Sequence, residues 1–184
     1  MRGLGLRLLV GMVVAGLCAA PLAAGADAEA GRWQVSLKCG AFFPGHGAMR
    51  DEAGHEWWYV GVDLDPGFQY KPGNGTVRLG ADFDFRDAQG RGVFTIPVTA
   101  KVTWPISPKT EALRMYGGLG PGVYFINSRH SGAVVKPGLQ FVAGMDLGDR
   151  AFVEVAYDWV SAFYDSNGTP LRADGVKAAF GIRF

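Results

Sequence analysis

Val77-Arg78-Leu79-Gly80-Ala81-Asp82-Phe83-Asp84-Phe85-Arg86 alternates between two kinds of side chain without a break. Successive side chains of a β-strand point to opposite faces. Val77, Leu79, Ala81, Phe83 and Phe85 therefore share one face, while Arg78, Gly80, Asp82, Asp84 and Arg86 share the other. An amphipathic helix would need apolar residues three as well as four apart, and no two apolar residues of this stretch are three apart. The quoted residues read as a strand with one wholly apolar face and one charged face, and what lies against each face decides the architecture.

The same two-residue period recurs along the chain. Phe94, Ile96, Val98, Ala100, Val102 and Trp104 stand opposite Thr95, Pro97, Thr99, Lys101 and Thr103. Trp33, Val35, Leu37, Cys39, Ala41 and Phe43 stand opposite Gln34, Ser36 and Lys38. Val153, Val155, Tyr157 and Trp159 face away from Glu154, Ala156 and Asp158, and Val176, Ala178, Phe180, Ile182 and Phe184 face away from Lys177, Ala179, Gly181 and Arg183. Clusters of glycine, proline and asparagine at Pro44 to Gly47, Pro66 to Gly75, Gly90 to Gly92, Gly132 and Asn167 to Pro170 supply turns. They divide the chain into eight runs, near 32–43, 56–64, 76–86, 93–104, 112–126, 134–147, 150–163 and 174–184. No helical stretch of convincing length interrupts them, so the fold class is all-β.

The first 26 residues read differently. Arg2 and Arg7 precede an apolar run from Leu8 to Ala20, and small residues follow around Ala24-Gly25-Ala26. This is the layout of a secretory signal peptide over 1–26, with the mature domain over 27–184. The apolar run is too short to span a bilayer as a helix. Cys18 follows Leu17 rather than a small residue, which does not fit a lipid-anchor signal. Without the leader the chain carries 16 basic and 17 acidic residues, a balance without a nucleic-acid footprint. Cys39 is the one cysteine left, so no internal disulfide can form, and it reads as a small apolar residue with no redox role.

Both signs of charge collect on the face opposite the apolar one: Lys38, Arg78, Asp82, Asp84, Lys101, Glu154, Asp158, Lys177 and Arg183. Buried charges require partners. In a closed eight-stranded antiparallel up-and-down barrel these groups converge in a lumen and pair, while the apolar faces turn outward to lipid. Such a lumen is only wide enough for side chains to fill it, which excludes a wide pore. Gly118, Gly120 and Gly122 share a face with Tyr116 and Tyr124 and are expected to make room for long charged side chains. Aromatic residues concentrate at run ends: Phe42, Phe43, Trp57, Trp58, Phe83, Phe85, Phe94, Tyr124, Phe125, Trp159 and Phe163 are assigned to one rim, Trp33, Trp104, Phe152 and Phe184 to the other. Pro97 and Pro121 fall inside strands and predict bulges or edge-like positions, and Pro66 to Gly75 is long for a tight turn.

Lys177-Ala178-Ala179-Phe180-Gly181-Ile182-Arg183-Phe184, the strand Tyr116-Gly117-Gly118-Leu119-Gly120-Pro121-Gly122-Val123-Tyr124-Phe125, and the leader together resemble the eight-stranded outer-membrane β-barrel family, the group of OmpX and the OmpA transmembrane domain. The resemblance covers nearly all of the mature chain. It implies residence in the Gram-negative outer membrane, contact with outer-membrane lipid, and delivery by the barrel-assembly machinery through a terminal signal made of Phe180, Ile182 and Phe184. Both termini are then periplasmic, and four external loops are free to meet a surface partner.

Candidate chemistry is sparse. His130 lies beside Ser128 and Ser131, but Ser128-Arg129-His130-Ser131 does not match the His-x-Ser motif of the family's lipid A deacylases. His46 and His55 flank Asp51 and Glu52 at a spacing that fits no zinc motif. Gly118 to Gly122 is not a dinucleotide fingerprint, and Asn74-Gly75-Thr76 and Asn167-Gly168-Thr169 read as turns. No catalytic residue, metal or cofactor is assigned. The expected function is structural or surface-interacting, with a lipid A deacylase type of enzyme and a soluble lipocalin-like binding barrel as alternatives.

Overall fold

In the computed structural model the described residues are 33–67, 69–70, 75–88, 91–106, 113–128, 131–164 and 168–184. The leader, Cys18, Asn74, His130 and Asn167 lie outside them. Along the chain come β1 (Gln34–Pro44), α1 (Gly47–Ala53), β2 (Trp57–Asp65), β3 (Gln69–Tyr70), β4 (Gly75–Ala88), β5 (Arg91–Pro105), β6 (Leu113–Ser128), β7 (Gly132–Leu147), β8 (Ala151–Val160), β9 (Phe163–Tyr164), β10 (Pro170–Leu171) and β11 (Gly175–Arg183).

Eight of these strands form the wall. β1, β2, β4, β5, β6, β7, β8 and β11 pair in that order, all antiparallel, and β11 returns to β1 with Leu37 opposite Ile182 and Cys39 opposite Phe180. Closure leaves no edge strand in the wall. β3 extends the β4 side by pairing Gln69 with Thr76, within the long 66–75 connection, and β9 and β10 form a separate small ribbon. Because β1 and β11 are antiparallel neighbours, both ends of the barrel sequence lie on one side, here called the terminus side. The opposite, loop side carries the β1–β2, β4–β5, β6–β7 and β8–β11 connections. On the terminus side, Gly148-Asp149-Arg150 turns tightly between β7 and β8, and Gly148 takes a φ of 74° that side-chain-bearing residues avoid.

The wall faces run opposite to those of a soluble barrel. Leu79, Val98, Leu119, Phe141, Val155, Phe180 and Ile182 are exposed outside, whereas Lys38, Asp82, Lys101, Glu154 and Lys177 are buried inside. The lipocalin-like alternative needs the reverse arrangement. Among the described residues no helix is long and apolar enough to cross a membrane, so any crossing is made by strands.

Several expectations are corrected. Pro97 and Pro121 cause no bulge: Ala81 pairs with Val98 and Asp84 with Thr95 in one unchanged register, and Thr99–Gly122 and Val102–Leu119 bracket Pro121 in the same way. Each proline removes its donor from the ladder and the two strands simply pass it. A short helix was not anticipated, yet α1 occupies the first loop, where Ala48 to Ala53 are mostly good helix formers between two glycines. Arg50 holds it by donating from Nε and Nη2 to the carbonyls of Pro44 and Gly45 at 2.8 and 2.6 Å.

Gly118 and Gly120 do not make room for charged side chains. A Cβ at Gly120 would fall on the Ala100 carbonyl oxygen and the Lys101 Cα, and one at Gly118 against the backbone of Val102 and Thr103. These glycines let β5 cross close over β6 as the wall curves. Glycines elsewhere accommodate rings: Gly144 lies opposite Tyr116 and Gly181 opposite Phe152, and each would drive a Cβ into that ring.

Candidate functional site

The lumen is filled in three layers, and the middle one holds the charges. Lys38 on β1 places its Nζ 3.1 Å from Asp63, 3.5 Å from Asp82 and 3.3 Å from Glu154. Lys101 on β5 lies 3.1 Å from Asp63 and 3.8 Å from Glu154, and donates to Gln140 Oε1 at 3.4 Å. Lys177 on β11 reaches Asp82, Asp84 and Asp158 at 3.0, 3.2 and 2.9 Å. Shared carboxylates join the three lysines into one network.

Neutral donors also reach four of the carboxylates. Tyr59, Tyr116 and Tyr124 donate their hydroxyls to Asp82, Glu154 and Asp158 at 3.2, 2.9 and 2.9 Å. Thr95 donates to Asp84 at 2.6 Å, and Gln140 Nε2 donates to Asp158 at 2.9 Å. Each wall strand supplies at least one member. The alternation of the strands explains this, since every second residue of each must enter the lumen. Lumen glycines leave space for the cluster: a Cβ at Gly80 would come within 2.8 Å of both Asp63 and Thr99.

On the loop side the lumen is apolar. Phe42, Met49, Trp57, Val93, Ile126, Val160, Phe163, Leu171 and Ala173 pack with the rings of Tyr59 and Tyr124 into one buried cluster. Phe42 and Trp57 meet edge to face with centroids 5.4 Å apart, a favourable geometry for ring quadrupoles. Met49 arrives from α1, and Phe163, Leu171 and Ala173 from the β8–β11 connection, so two loops are anchored in the mouth of the barrel. On the terminus side, Arg183 pairs with Asp146 at 2.6 Å and stacks over Phe152 at 4.6 Å. Arg78 lies over the Tyr116 ring at 5.2 Å.

The fold of this wall matches solved structures of outer-membrane proteins. The outer-membrane enzyme PagL superposes with a TM-score of 0.54 at 14% identity, over 82% of this chain and 98% of that one. Neisserial surface protein A (NspA) superposes at 0.56 with 10% identity, over 82% and 95%. The fold is that of the eight-stranded outer-membrane barrels. No protein-family profile matches the chain, and no curated protein matches it in sequence. One neighbour being an enzyme and the other a surface protein, the barrel fold by itself does not select an activity.

The nine charged residues singled out in the sequence are divided by the barrel. Lys38, Asp82, Asp84, Lys101, Glu154, Asp158 and Lys177 meet in the central network, while Arg78 and Arg183 belong to the terminus-side layer. Asp63, Gln140 and the three tyrosines were missed, although Asp63 shares the phase of Trp57, Tyr59 and Gly61 on β2. Five residues assigned to the rims are inside instead: Phe42, Trp57, Tyr124, Phe152 and Phe163 are all buried. Each lies at the end of its strand but on the inward phase, or in a loop that folds back into the lumen. Trp58, Trp159, Phe125 and Phe184 are exposed on the outside, and Phe83, Phe85 and Phe94 cluster there with Phe83 stacked on Phe85 at 5.0 Å.

Phe180 and Ile182 lie on the outer face of β11, Phe184 is exposed just beyond its end, and the Phe184 amide donates to the Val35 carbonyl at 2.8 Å. Cys39 is also on the outer face. Ser128 Oγ lies 2.7 Å from Ser131 Oγ and accepts the Ser131 amide. Among the described residues no three His, Cys, Asp or Glu side chains are grouped to hold a metal.

Proposed function

We propose that this chain is a non-enzymatic outer-membrane protein with a sealed lumen, exported by its leader, that acts through its loop side in envelope structure or surface interaction. The observation supporting this reading is the apolar plug. It holds Met49 of α1 and Phe163, Leu171 and Ala173 of the β8–β11 connection in the barrel mouth, so these parts of the loop side are fixed and the lumen offers solutes no path. Purified protein in planar bilayers is expected to give no stepwise ion conductance, and in detergent to release no fatty acid from lipid A or phospholipid. Fatty-acid release that disappears in a His130→Asn variant would replace this reading with that of a lipid-modifying enzyme.

The outward row Phe180, Ile182 and Phe184 serves in the same proposal as the signal for the barrel-assembly machinery. Burying one aromatic side chain contributes about 1.5 to 3 kcal/mol, less where the ring stays partly wet. Deleting Phe184 is therefore expected to lower the amount inserted in cells far more than the unfolding midpoint of detergent-refolded protein. Equal insertion with and without the residue would reduce Phe184 to an interfacial aromatic.

A further inference from the structure

Three arginines line the terminus-side mouth of the lumen. Arg78 on β4, Arg114 on β6 and Arg183 on β11 all lie on the inward phase of their strands. Arg183 is buried, and Arg78 and Arg114 are half-buried. Asp146 engages Arg183, and Asp65, the other inward acid near this end, accepts the Gly67 amide. Among the described residues neither Arg78 nor Arg114 has an ion pair.

Two of the three guanidiniums lean on a single ring. Arg78 lies 5.2 Å and Arg183 5.9 Å from the Tyr116 centroid, so both guanidiniums are positioned by aromatic contact with one ring rather than by a shared acid. Tyr116 directs its hydroxyl away from them, to Glu154 at 2.9 Å, and the central carboxylates are already engaged by the three lysines. The Nε of Arg183 is buried with no hydrogen-bond partner among the described residues. A buried donor left unmade is unfavourable, and a guanidinium fork suits an oxyanion geometrically.

We propose that this mouth is a binding site for a phosphate-type oxyanion that approaches from the terminus side, accepts from Arg183 Nε and bridges to Arg78, with Arg114 completing the positive rim. The Tyr116 and Phe152 rings hold the two guanidiniums in place, so the site is preformed. Such a group can come from a free anion or from the headgroup of an anionic lipid. Both offer the same oxygens to the same donors.

The test is NMR of arginine Nε–H groups in protein refolded in maltoside micelles. Inorganic phosphate is titrated against chloride at constant pH and ionic strength. Saturable shifts of the Arg183 and Arg78 signals with phosphate but not with chloride are expected. Arg78→Gln, which removes no ion pair, should keep the barrel folded and weaken phosphate binding by roughly tenfold or more, as loss of one charge-assisted bond implies. A second arm replaces phosphate with phosphatidylglycerol in the micelle: the same shifts there assign the oxyanion to a lipid headgroup. Arg183 signals that stay unmoved by both, or that move equally with chloride, would overturn the site and leave water as the partner of Nε.

Discussion

Replacing Lys177 by Met is expected to abolish refolding into the closed barrel or to lower its unfolding free energy by at least about 3 to 5 kcal/mol, the range for removing one partner of a buried ion pair. Lys177 is the cation for three carboxylates, Asp82, Asp84 and Asp158, at 3.0, 3.2 and 2.9 Å, all with side chains at most 3% exposed. Without it Asp84 keeps only the Thr95 hydroxyl, whereas Asp82 retains Lys38. Adding Asp84→Asn to the Lys177→Met chain should therefore recover part of the loss. Urea titration in detergent micelles, followed by tryptophan fluorescence, measures both. Val176→Met, one residue away on the outer face, serves as the comparison and should change little. Equal midpoints for Lys177→Met and Val176→Met would mean that the network contributes nothing to stability.

Gly120→Val should be almost as damaging, through a different cause. The first carbon of any side chain there would fall on the β5 backbone, at the Ala100 carbonyl and Lys101 Cα. Backbone cannot rotate out of the way as a flexible side chain can, so β5 and β6 must separate where Pro121 has already removed a donor. Overpacking of a core side chain typically destabilises by about 1 to 3 kcal/mol, and a backbone clash exceeds that. Gly92→Val, on the same β5 but with nothing within 4 Å of its Cβ, should refold normally. The migration of unheated samples on gels separates folded from unfolded barrel in each. A folded Gly120→Val barrel of native stability would show that the wall can relax at this crossing.

Much of this architecture was legible because a strand's parity is absolute: once Asp82 and Asp84 are inside, Phe83 and Phe85 must be outside. Errors arose where position along a run was used in place of parity. Phe42 and Phe43 are neighbours at the end of β1, yet Phe42 shares the phase of Lys38 and fills the plug, while Phe43 faces out. Trp57 and Trp58 separate in the same way. Asp63 could have been placed by the same rule, since it alternates with Tyr59 and Gly61. Which groups meet across the lumen was not legible. Lys38 reaches Glu154, 116 positions away in the chain, because of how the strands are staggered around the barrel, and no local pattern encodes that stagger. Gln140 and the tyrosines carry no formal charge and so gave no signal, although they complete the network. α1, at seven residues, is too short for a helical period to show.

Each wall strand supplies a member of the central network, and Lys38 and Lys177 come from the first and last of them, which meet only when the sheet closes. A partly assembled sheet lacking β11 has Asp84 and Asp158 without their lysine; one lacking β1 has Asp63 and Glu154 with Lys101 as their one remaining lysine. In hydrocarbon such stranded charges are heavily penalised. Half-built sheets are therefore poor intermediates inside the bilayer, and unfolding should proceed as one cooperative event with no stable species of fewer strands. The electrostatics of the interior thus depend on closure: Lys177 of the last strand meets Asp82, Asp84 and Asp158 only when the eighth strand is in place beside the first.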